Sequence, residues 1–288
     1  MKRIGAPNKS LFACTIRASY VAPHALSIPE VEIVSQPVVA TVMSRRHLHQ
    51  NEEAFASLVG DEKEYFRWQS EKVELITRVL RQFQTGGVLA DVGCFTGVAT
   101  AHYRSTGFDR AVGFDLSEEA LAAAASRGIE ARFWRAGAER CPAADSEFDA
   151  VVAADVIEHI VDTDAFLCEL SRILRPGGLL IVTTPNLAFW ISRLRLLFGK
   201  PPWSYPGASS SVRADLMVDL NHIRITTRRE WESLFRATAF EIVTVQGWSL
   251  LHAKGNSIGI RVRRILDRCF TAFPDLAFGL LFVLKKRV

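Results

Sequence analysis

Short apolar runs alternate with amphipathic stretches through most of the chain. The runs at 88–92, 111–115, 149–154 and 179–183 are almost entirely apolar, which is typical of strands that are buried on both faces of a parallel sheet. The segments between them carry apolar residues at helical spacing. The alternation predicts an α/β fold with a doubly wound parallel sheet and right-handed crossover connections.

The same pattern extends to both sides of these runs. Further strands are predicted at 130–135, 240–246 and 277–284, and helices at 61–83, 98–103, 117–126, 163–174, 226–239 and 258–270. Another helix is predicted from Asn51, where Glu52 and Glu53 favour a helix N terminus. Pro176-Gly177-Gly178 is expected to stop the helix that starts at Thr163.

The pattern also predicts the domain organisation. Residues 1–50 show no sustained period and are punctuated by prolines, so we expect a poorly ordered N-terminal extension, with Met43 as an alternative natural start. Residues 51–288 are expected to form one domain. Its parts are leading helices at 51–85, a lid-like insertion at 185–221 and a basic amphipathic insertion at 251–273.

Both insertions contain helices with unusual surfaces. Residues 187–198 are too apolar for an ordinary surface helix, and they predict a cap over the site, a dock for a lipid-like substrate or a segment that lies on a membrane. Residues 258–270 combine an apolar stripe with arginines. For this second helix, peripheral membrane contact competes with an arginine-rich face in solvent.

Charge is distributed unevenly along the chain. Residues 1–49 carry +4 and residues 251–288 carry +6, which leaves −6 for the middle and +4 for the whole. The basic ends favour acidic lipid, nucleic acid, an acidic partner or simply solvent. The acidic middle disfavours nucleic acid as the substrate, and no base-methylating loop of the type Asn-Pro-Pro-Tyr follows the fourth strand.

Two further features bear on the cellular location of the protein. No unbroken apolar run reaches eighteen residues, so no transmembrane helix is predicted. The five cysteines are widely spaced and form no Cys-x-x-Cys pair. They predict neither a disulfide framework nor a metal site, and they favour a reducing, cytoplasmic location.

A glycine turn between two acids is the strongest chemical signal. Gly93 and Gly97 follow the first strand, which ends near Asp91, and Asp115 ends the next strand. This is the spacing at which doubly wound nucleotide-binding folds place an acid on ribose hydroxyls. The pattern predicts an adenosine-containing ligand. The full Gly-x-Gly-x-x-Gly is missing, which disfavours a dinucleotide.

Five segments in order resemble the successive motifs of the class I S-adenosylmethionine-dependent methyltransferases. They are Asp91–Gly97, Gly113–Ser117, Phe148–Val151, Ile157–Ile160 and Leu174–Gly178, within a resemblance that covers roughly residues 60 to 250. The resemblance implies a Rossmann-like sheet of seven strands, mostly parallel, with an antiparallel last strand between the fifth and sixth. It also implies S-adenosyl-L-methionine as cofactor.

The chain is most similar to the branch that methylates small or lipid-linked acceptors such as quinone precursors, which implies methyl transfer to a hydroxyl oxygen. The implied cofactor-binding residues are Asp91, Gly93, Phe95, Gly97, Asp115, Leu116 and Asp155. Asp115 would hold the ribose, with a helix cap as its alternative role. Asp91 would lie near the methionine part.

Two positions depart from the family pattern. Phe95 replaces the middle glycine of the first loop, so the backbone there curves differently or the ring packs beside the ligand. Gly137 stands where an adenine-facing acid is common. Adenine recognition then falls to the backbone of Ala138 or to Glu139.

A hydroxyl acceptor benefits from a general base, which is usually a histidine or a carboxylate. His222 is the first candidate, because relatives with a Thr-Pro-Asn segment often have a substrate-side histidine there. His159 and Asp155 are the others, and alignment without a dedicated base remains an alternative. Two rival functions stay open, an NAD-dependent oxidoreductase and a non-catalytic binding protein on the same fold.

Overall fold

The computed structural model describes residues 62–83, 86–203, 222–249 and 258–288. The predicted N-terminal extension, the helix near Asn51 and the greater part of the loop after Pro201 lie outside the described residues, so these expectations stay predictions.

Within the described residues, seven strands and seven α-helices follow one another in the predicted order. The strands are β1 (Val88–Val92), β2 (Arg110–Asp115), β3 (Glu130–Phe133), β4 (Phe148–Ala154), β5 (Leu174–Pro185), β6 (Phe240–Trp248) and β7 (Gly279–Lys286). The helices are α1 (Glu62–Phe83), α2 (Val98–Arg104), α3 (Glu118–Ser126), α4 (Thr163–Ile173), α5 (Trp190–Leu197), α6 (Arg228–Ala237) and α7 (Ile258–Thr271). A short 3₁₀ turn, Ile157–His159, follows β4.

The strands form one sheet in the order β3-β2-β1-β4-β5-β7-β6. The pairs among β1 to β5 are parallel, and β7 is antiparallel to both β5 and β6. This arrangement confirms the Rossmann-like sheet and the position of its antiparallel strand. The carboxyl ends of β1, β2 and β4 therefore meet at one edge of the sheet, where open α/β sheets bind ligands.

The core lies on both faces of the sheet. Along β4, Val151 and Ala153 point into one apolar cluster and Ala150 and Val152 into the other, because successive strand residues face opposite sides. Residues of α4 and α6 belong to the first cluster, and residues of α1, α2 and α3 to the second. None of the described helices is long and apolar enough to span a bilayer.

Some element boundaries differ from the predicted ones. The α4 helix ends at Ile173, before Pro176, and β5 already begins at Leu174 instead of 179. The register jumps from Phe148–Leu174 to Ala150–Leu179, so the residues around Gly177 form an irregularity inside the strand. Gly177 has φ 74° there, which a side chain would resist.

Candidate functional site

The loop after β1 is a tight turn built on left-handed backbone. Gly93 and Gly97 have φ of 73° and 78°. The amides of Gly93 and Cys94 both donate to the carbonyl of Phe114 in β2, at 2.8 and 3.1 Å. A Cβ at Gly97 would lie 2.9 Å from the Cβ of Ala124 in α3. Glycine is therefore required where the loop touches its neighbours.

Phe95, which stands in place of the family's middle glycine, has left-handed backbone geometry. Its φ is 49°, which is uncommon for a bulky residue and costs about 1–3 kcal/mol. The Phe95 amide donates to Oδ2 of Asp115 at 2.9 Å, and only 7% of the residue is exposed. The loop thus carries a buried aromatic side chain on left-handed backbone. Backbone strain of this kind clusters at functional sites.

Asp115 fastens the first loop to the end of β2. In addition to the Phe95 amide, it accepts the amide of Ser117 on Oδ1 at 3.0 Å. Ser117 itself caps α3 by accepting the amide of Ala120. Burial raises the pKa of Asp115, and the backbone amides oppose that shift. Each carboxylate oxygen accepts more than one hydrogen bond, so the two amides leave acceptor capacity for ribose hydroxyls.

Asp91 is the buried acid of the pair. Its side chain accepts the hydroxyl of Thr100 at 2.5 Å, and the residue is 3% exposed. The pKa of Asp91 is raised to about 7, chiefly by burial and less by the charge of Asp115, against the lowering effects of the Thr100 hydrogen bond and the Lys72 charge. Asp91 therefore changes its charge close to neutral pH.

A pocket of about 520 Å³, including its open mouth, lies between this loop and α1. Its wall includes Lys72 and Val73 of α1, Asp91, Gly93 and Phe95 of the loop region, and Ala154 at the end of β4. Within the described chain, three of the predicted cofactor residues line it directly, namely Asp91, Gly93 and Phe95. The wall of the pocket is thus shared by the first loop and the leading helix.

The residues predicted for adenine lie in the turn after β3. Ala138 and Glu139 are exposed. The Ala138 amide donates to the carbonyl of Arg135 at 3.1 Å, and the Glu139 carboxylate pairs with the Arg135 guanidinium at 3.2 Å. Gly137 has φ 76°, and a Cβ there would lie 2.6 Å from Ile160. Contact with Ile160 therefore explains why position 137 holds a glycine and not an acid.

Leu116, at the tip of β2, is half-buried.

Asp155, just beyond β4, is held in a strained backbone conformation with φ 54°. Its Oδ1 accepts the hydroxyl of Thr183 at 2.7 Å, and its Oδ2 accepts the ammonium of Lys72 from α1. Burial raises the pKa of Asp155, but the charge and hydrogen bond of Lys72 outweigh it and hold the pKa below its ordinary value. Asp155 is therefore an ionised, paired carboxylate.

Lys72 is a functional candidate that sequence patterns did not reveal. It is 4% exposed, and its ammonium also lies 5.6 Å from the centre of the Trp248 ring. One feature of the sequence could have pointed to Lys72. It lies four residues before Ile76 and therefore on the apolar face of α1, which is buried in the structure.

A second cluster joins the two predicted bases. The amides of Ile223 and Arg224 both donate to the carbonyl of Glu158 at 3.0 Å, which seats His222 on the 3₁₀ turn. The rings of His159 and His222 lie 4.9 Å apart, and His222 Nε2 is 3.9 Å from a Glu158 carboxylate oxygen. His222 is 8% exposed. Two histidines that lie 63 positions apart in the sequence thus belong to one polar cluster.

Glu158 is the unusual member of this cluster. It is fully buried, and neither oxygen of its carboxylate has a hydrogen-bond partner among the described residues. Burial raises the pKa of Glu158 well above the ordinary value, and the charge of Asp155 raises it further. Burial therefore favours the protonated, neutral form of Glu158. One ligand atom each from Glu158, His159 and His222 lie within 4.8 Å of one another, a spacing that a metal ion could bridge; the expectation of no metal stays a prediction.

The comparisons with known proteins agree with this arrangement. Residues 90–182 match the family model described as a methyltransferase domain. This segment carries both strand-end acids, the glycine loop and the Glu158–His159 pair. This match agrees with the resemblance to the class I S-adenosylmethionine-dependent methyltransferases that the ordered motifs carry.

Two curated relatives share one description, ubiquinone biosynthesis O-methyltransferase. The protein from Sinorhizobium fredii is 34% identical over 102 residues, which cover 34% of this chain and 41% of the relative. The protein from Sinorhizobium medicae is 34% identical over 110 residues, which cover 37% and 44%. The chain thus spans less than half the length of the curated relatives that it matches.

Solved structures extend the likeness of the fold beyond this segment. One was solved as a complex of the Haloferax volcanii Trm112 methyltransferase activator with a methyltransferase; it has a TM-score of 0.58 at 16% identity and covers 81% of this chain and 98% of its own. An S-adenosylmethionine-dependent methyltransferase from Thermotoga maritima has a TM-score of 0.54 at 16% identity and covers 82% and 99%. Because the identities are low, these likenesses concern the fold alone.

Proposed function

We propose that this protein is a methyltransferase that uses S-adenosyl-L-methionine to methylate a hydroxyl oxygen of a small or lipid-linked acceptor. The observation that carries the proposal is the pair of strand-end acids, Asp91 and Asp115, joined by the glycine loop beside a pocket that the matched segment shares with α1. The description of the curated relatives as O-methyltransferases supports a hydroxyl acceptor.

The donor groups present fit this cofactor. Carboxylates at the tips of β1 and β2 suit ribose hydroxyls and an ammonium group, and the cation of Lys72 suits a carboxylate. When bound, S-adenosyl-L-methionine supplies an electrophilic methyl group on a sulfonium. Asp115 would hold the ribose and Asp91 the methionine end. Leu116, Ala138 and Glu139 stay candidates for the adenine side.

The chain's own contribution to the reaction is to align the acceptor and to take its proton. His222 is buried and is held against the turn that follows β4, the strand whose end also lines the pocket. We assign it as the general base that accepts the hydroxyl proton. His159 is the second candidate. Asp155 is less suited to this role because its charge is already paired with Lys72.

Calorimetry followed by methyl-transfer assays tests this proposal. The protein is expected to bind S-adenosylhomocysteine but not NAD, and to transfer a labelled methyl group to a component of a lipid or aqueous cell extract. Binding of NAD alone would indicate the oxidoreductase instead. Binding of S-adenosylhomocysteine without any transfer would indicate the non-catalytic binding protein.

We further propose peripheral contact with an anionic membrane through α5 and α7. The two helices contact each other where the Trp190 indole donates to Asp267 at 2.7 Å and its ring lies 5.6 Å from Phe270. Leu197 and Phe198 are 75% and 74% exposed, and Ile265 is 63% exposed. Exposed apolar side chains beside Arg193, Arg261 and Arg268 are typical of interfacial helices.

Sedimentation with liposomes tests the membrane contact. At low salt the protein is expected to pellet with phosphatidylglycerol vesicles more than with phosphatidylcholine vesicles, because acidic headgroups attract the arginines. The double variant Leu197→Asp, Phe198→Asp should lose this binding. The control Val243→Asp makes the same change at an exposed valine of β6 and should retain it. Failure of the wild type to pellet would end the proposal.

A further inference from the structure

We propose that Arg224 is a positioning residue that holds His222 against the turn after β4. The inference rests on the proposed function, in which His222 accepts the proton of the acceptor hydroxyl. Arg224 acts through His222 and makes no contact of its own with the acceptor. It fixes the backbone two residues after the histidine, so that the imidazole keeps its place while a bulky acceptor enters and leaves.

The Arg224 guanidinium joins the segment that carries His222 to the start of α4. Its Nη1 donates to the hydroxyl of Thr163 at 2.8 Å, and its Nη2 donates to the carbonyl of Val161 at 3.3 Å. A guanidinium is a planar fork with fixed donor directions, so two acceptors on different nitrogens fix its orientation. Thr163 is 4% exposed and begins α4, whose apolar face packs into the core. The side chain of Arg224 is therefore attached to a rigid element.

The backbone of the same segment is fastened at two places. The amides of Ile223 and Arg224 share the carbonyl of Glu158, and the amide of Leu187, just after β5, donates to the carbonyl of Thr226 at 3.1 Å. All of these contacts act on residues that follow His222. The position of the imidazole therefore depends in part on how firmly residues 223–226 are held, and Arg224 adds the side-chain contacts with α4 to the backbone ones.

The stability of α4 alone does not explain an arginine at this place. The N terminus of a helix carries a partial positive charge, so a cation beside its first turn is unfavourable, and Asp164 offsets only part of that cost. Both acceptors of the guanidinium are neutral oxygens, whereas the strongest arginine hydrogen bonds are made to carboxylates. Arg224 is therefore better explained by the segment that it holds than by the helix that it joins.

The experiment removes the anchor and keeps the base. Arg224→Met retains an apolar stem and loses both side-chain hydrogen bonds. Hydrogen exchange by mass spectrometry, without added ligand, is expected to show about five- to tenfold faster exchange of the amides at 223 and 224, because their contact with Glu158 opens more often. Methyl transfer to a cell lipid extract at saturating S-adenosylmethionine should fall about tenfold, since the base is misplaced. Affinity for S-adenosylhomocysteine should stay within about twofold.

A double-mutant cycle separates positioning of His222 from general support of the fold. In the His222→Ala background, Arg224→Met should lower the rate by less than about twofold, because the group that it positions is gone. Thr163→Val removes one acceptor from the other side, and it should cause the same changes at smaller size. Arg224→Lys can reach one of the two oxygens and should recover part of the rate.

Arg175→Met is the matched control. Arg175 also donates to one backbone carbonyl, that of Ser146, and to one side chain, that of Asp149, but it does so at the opposite end of β4. This variant should leave the exchange of residues 222–226 and the rate of methyl transfer unchanged. Thermal unfolding of every variant confirms that it is folded.

The possible results are distinct. Unchanged exchange in Arg224→Met, or a loss of rate that adds fully to that of His222→Ala, would overturn the positioning role. A wild type that transfers no methyl group would overturn the proposed function. In that event the exchange measurement, which needs no acceptor, still decides whether Arg224 anchors His222. Faster exchange together with a non-additive loss of rate supports both.

Discussion

The loop between Asp91 and Asp115 and the cluster of Glu158, His159 and His222 are two polar regions at the same edge of the sheet, built in different ways. In the loop region the acid of β2 accepts two backbone amides, and the acid of β1 accepts a hydroxyl. In the cluster the buried carboxyl of Glu158 has no such partner among the described residues. Acids whose hydrogen bonds are already made within the fold are suited to holding a ligand in one position. A buried acid without such hydrogen bonds is suited to a site where a reactant changes.

The largest effect should come from the cluster. His222→Ala is expected to lower methyl transfer by about 100-fold or more, because loss of a general base typically costs this much. Binding of S-adenosylhomocysteine should remain unchanged, since His222 is not among the residues that line the pocket. Steady-state rates and calorimetry on the same preparation make the measurement.

His159→Ala serves as the matched control for that prediction, because the two rings are neighbours. It should reduce the rate less than His222→Ala does. If His222→Ala leaves turnover intact, His222 has no part in the mechanism. If His159→Ala loses more activity than His222→Ala does, His159 is the general base instead.

The next effect should come from the loop region, and it should appear in binding. Asp115→Asn removes a charged acceptor beside the Phe95 and Ser117 amides. Affinity for S-adenosylhomocysteine should fall by about tenfold, since hydrogen bonds to charged groups contribute about 1.5–3 kcal/mol. Titration of wild type and variant by calorimetry measures it. Unchanged affinity would mean that Asp115 acts only as a clasp between the loop and α3.

A smaller effect concerns stability and pH. The folded-state pKa of Asp91 is raised to about 7, whereas an unfolded aspartate titrates near 3.9. The folded protein therefore holds the extra proton between these values, and its stability falls as pH rises through that range. Asp91→Asn keeps an acceptor for Thr100 and should be more stable than the wild type at pH 8, by about 1–3 kcal/mol.

The same variant should show little advantage at pH 4, where Asp91 is protonated in the folded state. Urea unfolding at the two pH values makes the comparison. An equal effect of the substitution at both would mean that Asp91 stays ionised throughout.

The smallest effect is expected at Glu158. Because burial raises the pKa of Glu158 well above the ordinary value, its side chain is largely neutral at pH 4 in the folded and in the unfolded protein, and the neutral variant Glu158→Gln should change the free energy of unfolding there by no more than about 0.5–1 kcal/mol. As pH rises toward the folded-state pKa, the wild type should lose stability relative to the variant. Large destabilisation by Glu158→Gln at pH 7 would show that the carboxylate is ionised and paired.

The two regions also differ in how much of their structure could be predicted from the sequence. The loop region with its cap, from Asp91 to Ser117, lies within 27 residues of chain, and its glycines, strand-end acids and the Ser117 cap are local signals. The cluster depends on contacts between Glu158 and residues 222–224. The sequence motifs named both histidines, but no spacing rule could give the 4.9 Å between their rings or the buried acid beside them.

Lys72 and Gly137 show the same limit in detail. A lysine on an apolar stripe could be seen in the sequence, but its partner lies 83 residues away. The absence of an acid at 137 had no local explanation until Ile160 was found to occupy that space. Strand order, by contrast, followed from the family motifs and was confirmed.

The place of β7 has a consequence for how the chain reaches its native state. The strand that is last in sequence lies inside the sheet, between β5 and β6. During synthesis, β5 and β6 leave the ribosome with their facing edges bare, and neither can complete its ladder until Lys286 has emerged. Exposed strand edges invite pairing with other chains. Nascent chains stalled before residue 279 should therefore need chaperone protection that the finished protein does not.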